Sequence, residues 1–483
     1  MDEPFRRTKI VATIGPSCSD SETLLELMRA GADVFRLNFS HGDVAEKALI
    51  IERIREVSRR RQRAVAILGD LQGPKIRVGQ IEGDAMQLFR GEQVWVTTEK
   101  VVGRDNLIPT GYTRLPEDVA PGDRLLLDDG LMELEVETVE PPRVACRVIT
   151  GGVLKSRKGI NLPGVAVSVP ALTDKDREDL VFCLEHGVDY VALSFVRRAD
   201  EVLELKNLIG RDGPGIIAKI EKPEAVANFE AILAAADGIM VARGDLGVEI
   251  EPEKVPLIQK RIIRQCNSAG KPVITATQML ESMVASPRPT RAETSDVANA
   301  ILDGTDAVML SAETASGRYP VEAVAMMARI AVDVETDPHL SRRMFEPLPD
   351  IAGWRSLPEA IAQAACRVAE SLDARAILAF TQTGKTAALV SKYRPKVPVY
   401  AVTPSQQVRR RLALYHGVRS LRVDIEGNTE AQIEAVEQAV LQAGLLQRGD
   451  IAVITMGSPV SAPGTTNLLK VHRLATGSFY EVH

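Results

Sequence analysis

The stretch that decides the fold runs from Ile216 to Asp245 and reads IIAKIEKPEAVANFEAILAAADGIMVARGD. It opens with the apolar run Ile216–Glu221 and closes with the apolar run Ile239–Asp245. The longer stretch between the two runs carries its apolar residues at helical spacing. A short apolar run, a helical stretch and a second apolar run are typical of a strand–helix–strand unit in a parallel sheet.

The same alternation recurs along most of the chain and predicts eight strands. Eight parallel strands separated by helices close into a (β/α)₈ TIM barrel, so the fold class is α/β. One helix is expected to begin after Thr173, and another after Thr290, where Glu293 completes the spacing of a capping box. The predicted strands are Lys9–Gly15, Val34–Ser40, Ala64–Asp70, Tyr190–Phe195, Ile216–Glu221, Ile239–Asp245, Val273–Thr277 and Ala307–Ser311.

Two regions depart from this pattern and predict further domains. Residues 72–167 carry Pro and Gly punctuation and alternating strands such as Met132–Val139, which predict a small β-barrel lid inserted into the barrel. The barrel then comprises residues 1–71 and 168–346. Residues 347–483 form a C-terminal α/β regulatory domain with a mostly parallel sheet. Its predicted strands are Ala376–Thr381, Val397–Val402, Leu421–Val423 and Asp450–Thr455.

Composition excludes several classes of protein. A chain of 483 residues is long enough for about three domains, and its net charge of −6 provides no basic field for nucleic acid. The five cysteines are scattered singly, without a CxxC pair, which fits a reducing cytosol. We find neither a signal peptide nor an apolar run of membrane-spanning length. The sequence therefore predicts a soluble cytoplasmic protein without a membrane partner.

Polar residues follow several of the predicted strands, often at a spacing of two. Barrel enzymes place their active sites at these carboxyl ends, and a spacing of two puts side chains on one side of a strand. Buried charges of both signs are costly unless they are paired or hold a ligand. The polar strand ends are Arg36-Leu-Asn38-Phe-Ser40, Asp70, Lys219-Ile-Glu221, Arg243-Gly-Asp245 and Thr275-Ala-Thr277.

These residue types indicate a metal-assisted reaction of a small phosphorylated acid. Glu221 and Asp245 offer oxygen ligands suited to Mg²⁺. Arg36 and Lys219 can neutralise the charge of a phosphoryl group. Thr277 can deliver a proton, directly or through water.

The chain resembles the pyruvate kinase family along nearly its whole length. The similarity rests on eight segments that occur in the order of the family. They are TKIVATIGP (8–16), RLNFSHG (36–42), GDLQGPKIR (69–77), GINLPG (159–164), AKIE (218–221), VARGDLGVE (241–249), ATQMLESM (276–283) and SAET (311–314). The resemblance implies transfer of a phosphoryl group from phosphoenolpyruvate to ADP in glycolysis, giving pyruvate and ATP. It also implies a homotetramer, and Mg²⁺ as cofactor, with Mn²⁺ able to replace it.

The resemblance also implies a role for each matched residue. Arg36 would contact the phosphoryl group and Lys219 would stabilise it in the transition state, while Thr277 would lie on the proton route to the enolate. The remaining implied sites are Glu221 and Asp245 for Mg²⁺; backbone of Ala242, Gly244 and Asp245 with Thr277 for the substrate carboxylate; Arg77 and Lys158 for nucleotide phosphates; and Asn38, Ser40, Asp70 and the Leu71 carbonyl for a monovalent cation.

Two departures from the family pattern modify these expectations. Family members that need K⁺ usually have Thr-Lys after the aspartate and an acid where this chain has Lys75, so we expect catalysis without K⁺ although most cation-site residues are present. The effector loop Thr381-Gln-Thr-Gly-Lys-Thr386 is retained, with Thr381, Thr383, Gly384, Lys385 and Thr386 as phosphate contacts. The later stretch Met456–Gly464 lacks the Trp and Arg of members that bind fructose 1,6-bisphosphate. A monophosphate effector, such as AMP or a sugar monophosphate, is therefore expected.

An alternative is a Mg²⁺-dependent lyase or mutase of the phosphoenolpyruvate/pyruvate barrel type. Such an enzyme also uses carboxylates at the ends of barrel strands, but it needs neither a lid bearing Arg77 and Lys158 nor the monovalent-cation residues. Dependence of turnover on ADP distinguishes the two. A non-catalytic sensor would require the loss of an essential residue, and every matched position is filled.

Overall fold

A closed barrel of eight parallel strands forms the centre of the molecule. The computed structural model describes residues 5–165, 167–337, 356–424, 428–457 and 466–475. The predicted boundary at residue 346 and residues 458–464 of the stretch Met456–Gly464 lie outside this part of the chain. The barrel begins with β1 (Lys9–Ile14), β2 (Val34–Asn38) and β3 (Ala66–Asp70).

The insertion follows β3, and its described residues contain eight strands. They divide between a six-stranded sheet, ordered β11-β7-β8-β9-β5-β6, and a two-stranded sheet of β4 and β10. The two sheets do not join into one closed circuit, and one cluster of buried apolar side chains fills the insertion. The strands are β4 (Ala85–Leu88), β5 (Gln93–Thr97), β6 (Leu107–Pro109), β7 (Arg124–Leu127), β8 (Met132–Glu140), β9 (Arg143–Thr150), β10 (Gly152–Lys155) and β11 (Ile160–Asn161).

Five further strands complete the barrel, which confirms the predicted (β/α)₈ architecture. Around the barrel the order is β1-β2-β3-β12-β13-β14-β15-β16, and all neighbours are parallel. These strands are β12 (Tyr190–Leu193), β13 (Gly215–Ile220), β14 (Gly238–Ala242), β15 (Val273–Ala276) and β16 (Ala307–Leu310).

The helices begin at recognisable caps. Thr173 and Thr290 each form a capping box, with Asp176 and Glu293 respectively, which satisfies the free N–H groups of the first turn. The helices of the barrel and insertion are α1 (Ser21–Ala30), α2 (Val44–Arg60), α3 (Leu115–Asp118), α4 (Asp174–Glu185), α5 (Ala199–Ile209), α6 (Pro223–Ala227), α7 (Phe229–Ala235), α8 (Arg243–Glu249), α9 (Val255–Ala269), α10 (Arg291–Leu302), α11 (Ala312–Ala315) and α12 (Pro320–Thr336). Short 3₁₀ turns cover Glu82–Asp84, Pro252–Lys254 and Glu281–Val284.

The C-terminal region contains a five-stranded sheet ordered β19-β18-β17-β20-β21. The first four strands are parallel, as predicted, and β21 is an antiparallel edge strand that the sequence pattern did not reveal. The strands are β17 (Ala376–Phe380), β18 (Val399–Thr403), β19 (Val418–Arg422), β20 (Ile451–Gly457) and β21 (Thr466–Arg473); the helices are α13 (Leu357–Ser371), α14 (Lys385–Lys392), α15 (Gln406–Arg411) and α16 (Thr429–Gln442). Across all the described residues, no helix has the length and hydropathy needed to traverse a bilayer.

The C-terminal region closes the amino-terminal end of the barrel. Helix α15 and the 3₁₀ turn Leu412–Leu414 bring Leu414 into the cluster of apolar side chains inside the barrel. The Tyr190 hydroxyl donates to the Arg411 carbonyl at 2.8 Å, and the Lys9 ammonium donates to the Val418 carbonyl at 2.6 Å. We call residues 406–414 the barrel plug. In the part of the chain that the structure describes, the plug covers the amino-terminal end of the barrel, and the polar strand ends lie at the opposite end.

We expect Leu414→Ala to destabilise the protein, because the truncated side chain leaves a cavity inside the barrel. The cost is about 2–5 kcal/mol for a fully buried leucine. Thermal unfolding followed by circular dichroism measures it. Leu257→Ala is the matched control, since Leu257 is 71% exposed. Equal melting temperatures for the two variants would show that the plug does not contribute to the core.

Candidate active site

A buried ammonium group lies at the carboxyl end of the barrel. Lys219 Nζ is 2.9 Å from Glu221 Oε1 and 3.4 Å from Asp70 Oδ1. It also donates to the Ser194 hydroxyl at 2.8 Å. Strands β3, β12 and β13 are neighbours in the barrel, so residues from three strand ends meet at this one cation.

Asp70 also serves a second cation. Its Oδ2 accepts from Arg36 Nε at 2.6 Å, and the same guanidinium donates to the Thr13 hydroxyl at 3.1 Å. The Asp70 side chain is 1% exposed, and that of Arg36 is 11% exposed. One carboxylate therefore holds both predicted phosphoryl-binding cations, Arg36 and Lys219. Each of these two side chains remains 11% exposed to solvent.

The protonation states follow from these contacts. Burial alone would lower the pKa of Lys219, but the carboxylates of Asp70 and Glu221 outweigh it and raise the pKa well above its ordinary value. Burial alone would raise the pKa of Asp70, but Lys219 and Arg36 hold it below its usual range. Burial raises the pKa of Glu221, Asp245 raises it further, and Lys219 opposes the change. The site therefore holds a permanently charged lysine.

Asp245 lies in helix α8, and this corrects one expectation. The strand predicted as Ile239–Asp245 ends at Ala242, and α8 begins at Arg243. Arg243 does not face the site. Its guanidinium pairs with Asp296 at 2.7 Å and donates to the Thr277 carbonyl at 2.8 Å, so these contacts draw the chain into a helical turn.

Thr277 lies directly beside this turn. Its Oγ1 accepts from the Gly244 N–H at 2.7 Å and donates to the Ala276 carbonyl at 2.6 Å. Thr277 has φ +70°, a left-handed conformation that is uncommon for a β-branched residue. Thr277 thus adjoins the predicted carboxylate-binding residues Ala242, Gly244 and Asp245. Its hydroxyl already accepts the hydrogen bond of the Gly244 N–H.

The arrangement of acids fits a divalent cation. The charge of Asp245 raises the pKa of Glu221, so the two predicted ligands are close enough to repel each other. No group of three or more His, Cys, Asp or Glu side chains converges anywhere in the described ranges. A metal held here would draw its remaining ligands from water and substrate oxygens, as Mg²⁺ commonly does.

The residues predicted for a monovalent cation lie beside this centre. Asn38 Oδ1 accepts from the Ser40 N–H at 3.0 Å, and the Leu71 carbonyl accepts from the Ser194 hydroxyl at 2.7 Å. The Lys75 ammonium lies 3.6 Å from Asp245 Oδ1. Its charge therefore falls next to a predicted metal ligand.

Ser194 is a site residue that sequence reasoning missed. It is 2% exposed and connects Lys219 to the Leu71 carbonyl. The available signal was a hydroxyl residue at the end of the predicted strand Tyr190–Phe195, in the same position as the charged residues that end the other strands.

The predicted nucleotide contacts lie on the two segments that join the insertion to the barrel. The Val78 N–H donates to the Lys158 carbonyl at 2.8 Å, so the segments run side by side. The Lys158 ammonium pairs with Asp128 at 2.9 Å, and Arg77 donates to the Arg157 carbonyl at 3.1 Å.

Arg77 and Lys75 act on the same imidazole as Arg36 of the barrel site. The pKa of His41 is lowered, first by burial and then by Arg77, Lys47, Lys75 and Arg36.

The predicted effector loop opens helix α14. The Gly384 N–H donates to Thr381 Oγ1 at 2.8 Å, and Gly384 has φ +90°, which suits a glycine. Thr386 Oγ1 lies 2.8 Å from Thr466 Oγ1 of β21. Thr383 and Lys385 are exposed, so the outer face of the loop is open to solvent.

Together, the fold and the site define a barrel enzyme that acts on anions at the carboxyl ends of its strands. Residues 5–324 match the family model of the pyruvate kinase barrel domain, and residues 359–472 match that of the pyruvate kinase alpha/beta domain. The chain belongs to the pyruvate kinase family.

Known proteins of this family are similar over nearly the full chain. A pyruvate kinase of Geobacillus stearothermophilus is 49% identical over 97% of this chain and 80% of its own length. One of Agrobacterium vitis is 48% identical over 99% of this chain and 98% of its own. A crystal structure of a pyruvate kinase from Cryptosporidium parvum superposes with a TM-score of 0.89 at 39% identity, covering 97% of this chain and 96% of that one.

Proposed function

We propose that this enzyme is a phosphotransferase that moves the phosphoryl group of phosphoenolpyruvate to ADP, giving pyruvate and ATP. The observation that carries the proposal is the Lys219 ammonium, buried between Asp70 and Glu221 beside the Arg36 guanidinium. Two cations fixed by one carboxylate suit a phosphoryl group whose charge spreads over several oxygens during transfer. The family membership of the whole chain supports the same reaction.

The charge of Lys219 acts mainly in the transition state. Because its pKa is raised, the ammonium stays protonated at any pH at which the enzyme would work. It is also held in place before the substrate arrives, so no reorganisation is needed as charge develops. Arg36 would orient the phosphoryl group from the other side of Asp70.

Glu221 and Asp245 would hold Mg²⁺, or Mn²⁺ in its place. Their mutual repulsion supports this assignment, since a divalent cation between them would relieve it. When bound, the metal supplies positive charge to the phosphoryl and enolate oxygens.

Thr277 and the turn that begins α8 would bind the carboxylate of the substrate. The carboxylate would compete with Thr277 Oγ1 for the Gly244 N–H, and backbone of Ala242 and Asp245 adjoins the same place. To deliver a proton to the enolate, directly or through water, the Thr277 hydroxyl would also exchange its hydrogen bond to the Ala276 carbonyl for one to the substrate or to that water.

Arg77 and Lys158 would bind the nucleotide phosphates. Both lie where the insertion joins the barrel. If the insertion closes as a lid, these residues would carry the nucleotide phosphates over the site, and the closure would exclude water. A barrel lyase or mutase has no use for these two residues and is not favoured. ADP-independent turnover of phosphoenolpyruvate would revive that alternative.

The cellular setting is proposed on chemical grounds. Each of the five cysteines is a free thiol, which supports a reducing cytoplasm.

We propose a homotetramer, as the resemblance implies, and its mass in solution is measured by light scattering.

We expect Lys219→Met to lower kcat by about 10²–10³-fold, while binding of phosphoenolpyruvate changes little, because the lost charge acts in the transition state. Steady-state assays coupled to pyruvate reduction measure kcat, and fluorescence titration measures binding. Lys206→Met is the control, because Lys206 is a half-exposed lysine on α5. A Lys219→Met enzyme with more than about half the normal kcat would contradict the assignment.

We expect catalysis without K⁺, because the Lys75 ammonium, 3.6 Å from Asp245, supplies a positive charge that can help to order the substrates as K⁺ would. The test is kcat in tetramethylammonium buffer free of K⁺ and NH₄⁺. A loss of about tenfold, or about 1.4 kcal/mol of barrier, that K⁺ restores would refute the prediction. Lys75→Glu is the converse variant, and it should create a K⁺ requirement.

We expect activation by a monophosphate, such as AMP, ribose 5-phosphate or glucose 6-phosphate, rather than by fructose 1,6-bisphosphate. The loop Thr381–Thr386 opens α14, whose first N–H groups suit one phosphate, and its Thr383 and Lys385 side chains are exposed. Initial rates at low phosphoenolpyruvate, with each compound in turn, test this. Lys385→Ala should abolish the response without changing the basal rate. Activation at micromolar levels by the bisphosphate alone would be the opposite result.

A further inference from the structure

A buried carboxylate outside the predicted site joins three parts of the molecule. Glu249 Oε1 accepts from Asn161 Nδ2 at 2.8 Å and from Lys222 Nζ at 2.6 Å. The Glu249 side chain is 1% exposed. We call these three residues the Glu249 triad.

Each member of the triad belongs to a different functional element. Asn161 ends β11, a strand of the insertion, and Lys222 directly follows the metal-ligand candidate Glu221. Glu249 is the last residue of α8, one helical turn after the other candidate, Asp245. A single carboxylate oxygen therefore connects the insertion to the elements that carry both proposed metal ligands.

Because the Glu249 carboxylate is buried, breaking its hydrogen bonds costs free energy, and this cost holds the connection together. A carboxylate removed from water loses several kcal/mol unless hydrogen bonds replace its solvation. Glu249 Oε2 is buried and has no hydrogen-bond partner among the residues that the structure describes. The two donors to Oε1 thus carry most of the compensation, and movement of either one is resisted.

A second tether between insertion and barrel provides a contrast. The Arg197 guanidinium donates to the carbonyls of Val167 and Val169 and pairs with Glu201 at 2.7 Å. This tether ends on α5, which carries neither proposed metal ligand. Both tethers hold the insertion, but the Glu249 triad does so through the metal site.

We propose that Glu249 is a positioning residue that couples the insertion to the spacing of Glu221 and Asp245. The inference rests on the proposed function, since it takes these two carboxylates as the metal ligands. When β11 moves, Asn161 moves with it and shifts Glu249. That shift changes the positions of α8 and Lys222, which carry or adjoin the two proposed metal ligands. A metal that draws Glu221 and Asp245 together acts through the same contacts on the insertion, because coupling between two sites is reciprocal.

The first experiment measures metal affinity without turnover, using Mn²⁺ titrations followed by electron paramagnetic resonance. Glu249→Gln and Lys222→Met should each raise the Kd for Mn²⁺ by about tenfold, as losses of partners behind metal ligands commonly do. In assays at saturating Mn²⁺, kcat should change less than the metal KM. The double variant should bind no more weakly than the worse single variant, because the two side chains act as one unit.

The second experiment measures the link to the insertion, using hydrogen–deuterium exchange of its strands with and without Mn²⁺. In the unmodified enzyme, Mn²⁺ should slow exchange in β11 and its neighbour β7. Asn161→Ala should abolish the slowing and raise the Mn²⁺ Kd by less than Glu249→Gln does, because Lys222 still holds Glu249. Lys271→Met is the matched control, since this lysine bonds to backbone carbonyls away from the site. It should leave both readouts unchanged.

The outcomes separate this proposal from the proposed function. Glu221→Gln tests the metal assignment itself, and normal Mn²⁺ affinity in that variant would overturn the assignment together with the coupling. Weak binding in Glu221→Gln combined with normal binding in Glu249→Gln would overturn the coupling alone. Metal-dependent slowing that survives in Asn161→Ala would do the same. Should Glu249→Gln fail to fold, Lys222→Met tests the coupling in its place, and normal Mn²⁺ binding in Lys222→Met would overturn it.

Discussion

The active end of the barrel depends on one interaction, the pairing of buried Asp70 with two cations. Asp70 contacts Arg36 at 2.6 Å and Lys219 at 3.4 Å. Without this carboxylate, two positive charges would stand close together in a poorly solvated place, and without the cations the carboxylate would be buried and unpaired. The three strand ends that carry these residues are thereby forced into one arrangement. The cations keep their charge and position while substrate is absent, which is what a site for phosphoryl transfer requires.

The sequence predicted the parts of the fold that depend on local pattern. The eight barrel strands are continuous apolar runs because both faces of a parallel barrel are buried, and such runs are visible without a structure. The caps at Thr173 and Thr290 follow from residues three positions apart. Arg36, Asp70, Lys219 and Glu221 could be placed together because parallel strands end at one edge. Strand β21 was missed because its residues are partly exposed and lack an apolar run.

What the sequence did not predict depends on partners far away in the chain. The sequence pattern predicted that strand β14 continues through Arg243. Instead, Asp296, 53 residues later, binds the Arg243 guanidinium, and the chain turns into α8. Lys75 reaches Asp245, and Ser194 bridges Lys219 and Leu71, only because the barrel closes. The Glu249 triad spans 88 residues between Asn161 and Glu249. Spacing within a motif carries no information about such contacts, so they emerge only from packing.

The same geometry links the two ends of the barrel. At the amino-terminal end, Leu414 of the plug joins the apolar cluster inside the barrel, to which β3 and β12 both contribute. At the other end, Asp70 ends β3 and Ser194 directly follows β12. The plug also adjoins the effector loop, since Val408 and Leu412 surround Gly384. A phosphate bound at the loop, as proposed above, would therefore lie next to the plug, whose Leu414 packs inside the barrel. Such a ligand changes activity only to the extent that it binds one arrangement of the plug more tightly than another, because a ligand with equal affinity for both shifts nothing. Because close-packed cores tend to switch between discrete arrangements, such a ligand would act by favouring one packing of the plug against the barrel over another.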